Sequence, residues 1–219
     1  MDPHAGARND PRVLSEPTDF RRLYLFRNPE LEPLHQGRVV GAGDAPLGRR
    51  GRAQALEWIE WTDGVDLAAV YCSPQAQCLE AAMALAQPRN LEPIVESRLR
   101  DQEMGQWQGR SWEELAKSDA DAVRSFFTEF GDVRAPGGES LGESVERVLQ
   151  WWMQHAPSFV GKSVAIVMPG SVLSGFVAAL LGFRLSRSAS VSLPHGGLGI
   201  VDAYDNAVRL QCWNPGAVS

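Results

Sequence analysis

Leu23–Glu30 reads LYLFRNPE, four apolar residues followed by Arg27, Asn28, Pro29 and Glu30. An apolar run of this length suits a buried strand, and the polar residues with Pro29 mark where the strand stops. The same arrangement recurs twice. Ala68-Ala69-Val70-Tyr71-Cys72 leads into Ser73-Pro74-Gln75-Ala76-Gln77, and Val164-Ala165-Ile166-Val167-Met168 leads into Pro169-Gly170-Ser171. Pro74 suits the first turn of a helix continuing to about Ala86. Gly170-Ser171 opens a helix through about Leu181. Further helices are predicted over residues 49–62, over 111–130 with a break near Ser118, and over 141–156. Pro93-Ile94-Val95 is a weaker strand, and two closing strands, near 198–203 and 207–213, are joined at Asp205-Asn206. Strands alternating with helices imply an α/β architecture with a mostly parallel sheet.

The chain has 219 residues, 44% of them apolar and 22% charged, values that exclude disorder, collagen-like repeats and a disulfide scaffold. No apolar run approaches the roughly 20 residues of a membrane-spanning helix. The three cysteines, Cys72, Cys78 and Cys212, and the four histidines, His4, His35, His155 and His195, show no metal-ligand spacing, so neither a metal nor another cofactor is expected. A net charge of -6 without a basic run argues against nucleic-acid partners. Residues 1–19 hold three prolines and no apolar period, and read as a mobile arm before a single domain over 20–219. Nothing in that arm suits a signal peptide, so the expected compartment is the cytoplasm, with no membrane partner.

In open α/β sheets, ligands bind beyond the carboxyl ends of the strands, where helix N-termini offer free N–H groups to anions. The three junctions therefore predict a phosphate or carboxylate pocket lined by Arg27, Gln77 and the Gly170 and Ser171 amides. The ordinary alternative is three unremarkable turns.

The order of these elements resembles the histidine phosphatase superfamily, the phosphoglycerate mutase-like fold. Leu23–Glu30 resembles that family's opening strand with Arg-His-Gly-Glu or Arg-His-Pro-Glu. Gly41–Leu47 (GAGDAPL) and Leu47–Ala55 (LGRRGRAQA) look like its loop and first helix, and Val70–Ala82 like its Ser-Pro-x-x-Arg helix start. Leu99–Gly109 (LRDQEMGQWQG) is similar to its Leu-x-Glu and Gly-x-Trp-Glu-Gly stretch, and Pro136–Leu141 (PGGESL) nearly repeats its Pro-Gly-Gly-Glu-Ser. Val164–Ser171 takes the place of its strand ending in His-Gly. The resemblance covers roughly residues 21–215 and implies a three-layer α/β/α sandwich.

It also implies chemistry whose residues differ here. The nucleophilic histidine corresponds to Asn28, the second histidine to Pro169, the second arginine to Gln77 and the proton-donating acid to Asp101. An amide nitrogen is not a usable nucleophile, and proline supplies no donor. Three readings follow. The first is a pseudoenzyme, without phosphohydrolase or mutase activity, that keeps a pocket for a small anion at Arg27, Asn28, Gln77, Asp101, Gly170, Ser171 and His195. The second is an enzyme with repurposed acid–base chemistry by Asp101, with or without His195, on a small anionic substrate. The third is a structural or regulatory partner with no pocket, marked by a collapsed cleft. Monomer and homodimer are both compatible with the family.

His195, followed by Gly196-Gly197, reads equally as a pocket or a loop residue; His35 reads as a surface loop residue and His155 as a helix-end cap. Cys72 is expected to be a buried structural cysteine. Trp151-Trp152 reads as a core stripe plus one partly exposed ring, and Trp58, Trp61 and Trp107 as core.

Overall fold

The computed structural model describes residues 19–129 and 131–214. The predicted arm thus lies, apart from Asp19, outside the described residues. Six strands form one sheet: β1 (Arg21–Arg27), β2 (Leu67–Cys72), β3 (Ile94–Val95), β4 (Ser163–Met168), β5 (Leu198–Ala203) and β6 (Val208–Trp213). Their order is β3-β2-β4-β1-β5-β6. The first four run parallel, β5 returns antiparallel to β1, and β6 pairs antiparallel with β5.

Alternation along β1 and β4 explains the layering. Leu23, Leu25, Val164, Ile166 and Met168 face one side and pack with α5 (Leu141–His155) and α6 (Gly170–Leu180). Tyr24, Phe26, Ala165 and Val167 face the other and pack with α1 (Arg49–Trp61) and α2 (Ala76–Ala86). Both faces are covered, which is why these strands read as continuous apolar runs. Ile94 and Val95 are exposed on the short edge strand β3, in keeping with their weak signal.

The predicted helix over 111–130 is two helices, α3 (Trp112–Ser118) and α4 (Ala120–Thr128), divided at Asp119. The Asp119 carboxylate accepts the Trp107 indole N–H at 3.1 Å. Trp107, Leu115, Phe126, Met104 and Val39 form a separate apolar cluster beneath this pair, above the sheet ends. The Pro-Gly-Gly-Glu-Ser element ends in a helix start: Ser140 and Glu143 form a reciprocal capping box on α5. The Trp151-Trp152 pair departs from expectation in that neither ring is partly exposed, since Phe159 and Phe176 close over Trp152.

One close approach fixes α1 against the first junction. A side-chain carbon at Gly51 would collide with the Glu30 carbonyl. Alanine normally improves a helix interior by about 1 kcal/mol over glycine, but backbone overpacking costs about 1–3 kcal/mol. We expect Gly51→Ala to lower the urea unfolding midpoint; a raised midpoint would contradict this packing.

Candidate functional site

Backbone hydrogen bonds continue past the strand ends and set the junctions. The Asn28 N–H donates to the Met168 carbonyl at 3.1 Å, and the Ser73 N–H to the Val167 carbonyl at 2.9 Å. The register pairs Arg27 with Met168, so Asn28 and Pro169 follow side by side. Beyond them lies a cavity of about 700 Å³. Its lining includes Arg27, Asn28, Gln77, Asp101, Pro169, Gly170, Ser171 and His195, so every predicted site residue meets at one place. His35 also lines it, rather than standing apart on a surface loop.

Arg27 is held from the 193–197 loop. One terminal guanidinium nitrogen donates to the Leu193 carbonyl and the other lies 3.0 Å from His195 Nε2. Because that ring nitrogen accepts from a guanidinium, Nδ1 carries the proton and donates to the Asn28 carbonyl at 3.1 Å. His195 is therefore a neutral, doubly engaged imidazole. Burial, and then the Arg27 charge, hold its pKa below the ordinary histidine value. Arg27 Nε is buried without a hydrogen-bond partner, and among the described residues no carboxylate forms an ion pair with the guanidinium. Gly170 has no side chain to strike it; a Cβ there would overlap the guanidinium.

Pro169 ends β4 in an extended conformation and is the N-cap of α6, with no side-chain cap. The first turn of α6 thus points its amides at the cavity floor. The Ser171 hydroxyl donates to Asp101 Oδ1 at 2.5 Å, and the Gln102 N–H donates to the same oxygen at 2.9 Å. Burial raises the Asp101 pKa above the usual carboxylate range, against the opposing pull of those two donors and of the Arg147 and Arg27 charges.

Gln77 lines the cavity, but its amide is already spent. Its Oε1 accepts from the Ala45 N–H at 3.0 Å, and its Nε2 donates to the Gly43 carbonyl at 3.4 Å. It holds a loop, where a second cation was the family expectation. Cys72 is fully buried and outside the cavity lining, and burial pushes its thiol up to about 12. His155 behaves as the expected cap, its Nδ1 lying 2.9 Å from the Trp151 carbonyl.

Several positioning residues escaped the sequence reading. Buried Gln75 donates to the carbonyls of Gly41 and Gly43, both at 2.9 Å, and accepts from the Asp101 N–H at 2.8 Å. Arg147 of α5 donates to the carbonyls of Arg98, Arg100 and Asp101, and pairs with Glu139 at 2.8 Å. Trp58 and Gln54 of α1 donate to the carbonyls of Gly196 and His195 at 2.7 and 3.1 Å. The only sequence hint was Gln75 beside the Ser-Pro turn; the others lie far along the chain from their partners. Among the described residues, no group of three His, Cys, Asp or Glu side chains is placed to hold a metal ion. No single described helix is long and apolar enough to cross a membrane.

The structure is an α/β sheet with a parallel centre, and an arginine and a helix N-terminus stand at its strand ends. The family model for the histidine phosphatase superfamily (branch 1) matches residues 23–215, and the chain belongs to that superfamily. It is 28% identical over 180 residues to phosphoserine phosphatase 1 of Hydrogenobacter thermophilus, covering 82% of this chain and 85% of that protein. A probable phosphoglycerate mutase, GpmB, of Salmonella choleraesuis is 27% identical over 192 residues, covering 88% and 89% of the two chains. Among solved structures, Bacillus stearothermophilus YhfR superposes with a TM-score of 0.81 at 27% identity, covering 90% of this chain and 98% of its own. A putative alpha-ribazole-5'-P phosphatase from Escherichia coli shares the fold, with a TM-score of 0.82 at 22% identity and coverage of 91% and 98%. The phosphoglycerate mutase-like sandwich is thereby established.

The raised pKa of Asp101 gives a testable sign. A carboxyl that binds its proton more tightly in the folded state contributes stability below the ordinary carboxyl value, lost as pH rises through the raised one. Asparagine keeps an oxygen that can accept from Ser171 and Gln102 without the buried charge. The stability of Asp101→Asn relative to wild type should therefore increase between about pH 4 and pH 7 in urea unfolding. A pH-independent difference would mean that the carboxyl titrates normally.

Proposed function

We propose that the chain is a pseudoenzyme of this superfamily, a scaffold without phosphohydrolase or mutase activity whose cavity binds a small anion for binding or regulation. The observation that carries this reading is the pair at the ends of β1 and β4. Asn28 and Pro169 stand side by side where the family resemblance calls for two histidines. Covalent transfer needs a nucleophile with an available lone pair, which the Asn28 amide nitrogen lacks. Stabilising a transferring phosphoryl group needs aimed donors or positive charge, and Pro169 supplies neither.

Anion binding is supported by a different set of groups. Arg27 makes no ion pair among the described residues although the Asp101 charge acts on it, its guanidinium lies against Gly170, and the first turn of α6 adds backbone N–H groups. The cavity is open, which disfavours the purely structural reading. Relatives named as phosphatases and a mutase make phosphate the first anion to test. This reading includes a cytoplasmic location, one domain from residue 20 onward, and a monomer or homodimer with no nucleic-acid, membrane or cofactor partner.

A second reading, acid–base chemistry by Asp101 on an anionic substrate, is favoured by one observation. Asp101 shares the cavity with Arg27, and burial brings its pKa nearer to neutrality. His195 is a weak partner for it, since both ring nitrogens are engaged elsewhere. A substrate screen in which Asp101→Asn abolishes turnover while leaving the fold intact would establish this second reading.

For the pseudoenzyme, p-nitrophenyl phosphate should show no turnover above buffer. Inorganic phosphate should raise the thermal midpoint with the logarithm of its concentration above its Kd, and Arg27→Met, which keeps an apolar stem, should abolish that rise. Family-like hydrolysis that disappears in Arg27→Met would refute the proposal.

A further inference from the structure

We infer that a second groove, between α1 and the 194–197 loop, is a site for an organic cation, an alkylated ammonium group held by the Glu57 carboxylate and the ring of Trp61. Glu57 and Trp61 lie outside the lining of the cavity at the strand ends, so the inference stands apart from what that cavity binds.

The groove has a volume of about 490 Å³. One wall is a stripe of α1, where Arg50, Gln54, Glu57 and Trp61 recur at the spacing that puts them on one helix face. Pro194, the two glycines after His195 and Asn214 supply the other. Arg27, Glu30, Arg50 and His195 line both the groove and the anion cavity, so the two arginines belong to the end that the two share. There Arg50 is paired with Glu30 at 3.3 Å, and His195 is neutral. Glu57 follows Arg50 by seven residues, about 10 Å along the helix. The end away from the shared boundary contributes a carboxylate and an indole to the lining, and no positive charge.

The charges on α1 run against its dipole. The first turn holds Arg49, Arg50 and Arg52 and no acid, and the last turn has no basic residue but carries Glu60, with Glu57 just before it. A helix favours the opposite order. At the first end the mismatch is compensated, since Arg50 and Arg52 meet Glu30 and Glu80 at 3.3 and 2.6 Å. At the other end it is not: among the described residues, the Glu57 and Glu60 carboxylates have no ion-pair or hydrogen-bond partner. A cation in this part of the groove would meet the Glu57 carboxylate and the negative end of the helix together.

Trp61 decides the kind of cation. Its ring is half-buried at the edge of the core beneath α1, and among the described residues it packs against no other aromatic ring, whereas Trp58 lies 4.5 Å from Phe26. A π face beside an unpaired carboxylate attracts positive charge, and an alkylated ammonium loses less hydration than a bare one in reaching it. The Pro194 ring adds apolar surface for its alkyl groups, and Gly196 and Gly197 add no side chains to obstruct them.

The test is an NMR titration of the full chain with choline chloride and with its uncharged isostere 3,3-dimethylbutan-1-ol, with sodium chloride as the control for ionic strength. The indole N–H signals of the seven tryptophans report binding. The Trp61 signal is the one missing from Trp61→Phe, and that of Trp112, in the anion cavity, is assigned through Trp112→Phe. We expect the Trp61 signal to move at a choline concentration at least about tenfold below that needed with the isostere. Glu57→Gln, at an exposed position, should raise the choline concentration needed by about threefold or more. An equal response to choline and the isostere would overturn the cation assignment, as would a response unchanged in Glu57→Gln. A Trp112 signal that moves at the same or a lower choline concentration would place the cation in the anion cavity and overturn the groove. A Trp61 signal that choline leaves unmoved would overturn the site altogether.

Discussion

The parallel pairing of β1 with β4 is the constraint on which the rest depends. It sets Arg27 opposite Met168, and the Asn28 N–H then extends the ladder by one bond beyond the strand. β4 is tied in the same way to β2 through Ser73, so three junctions share one backbone framework. The side chains at the cavity floor owe their proximity to main-chain hydrogen bonds, which need no particular residue there. β5 adds the last wall, since the Arg27 N–H donates to the Gly197 carbonyl at 3.0 Å and brings the His195 loop alongside.

Around that framework, long polar side chains replace regular structure. The loops at 41–45, 98–101 and 193–197 contain few backbone partners of their own. Gln75 and Gln77 hold the first, Arg147 the second, and Gln54, Trp58 and Arg27 the third. Each donates to carbonyls that would otherwise be left unsatisfied near the interior, a loss of about 1–3 kcal/mol per group. The cavity walls are held by these long side chains, of which Arg27 and Gln77 also line the cavity. Gln77 belongs to this scaffolding although it faces the cavity.

Layering and sheet content were legible in the sequence because they rest on local signals. The apolar runs at 23–26 and 164–168, the turns after them and the helix periods gave strands and helices nearly to the residue. The location of the cavity was legible too, since a parallel sheet leaves its helix starts and loops together at the carboxyl ends of its strands. What remained hidden depends on contacts distant in sequence. Nothing near Gln75 reveals carbonyls at 41 and 43, and nothing near Arg147 reveals those of 98–101. The burial of both rings of the Trp151-Trp152 pair was hidden for a related reason, because Phe159 and Phe176, supplied by later elements, complete it. His35 was likewise a loop residue until the fold brought that loop over the strand ends.

Among the described residues, the Asn28 side chain donates to the carbonyl of the adjacent Pro29 alone, at 3.1 Å. It braces no distant element, so a change of residue at this position has little leverage on the fold. Evolutionary drift in reactivity and drift in stability can therefore proceed independently in this chain. A scaffold of this kind can change its chemical occupation through single substitutions without passing through an unfolded intermediate sequence, and its likeness to relatives follows ancestry in shape more faithfully than inheritance of a trade.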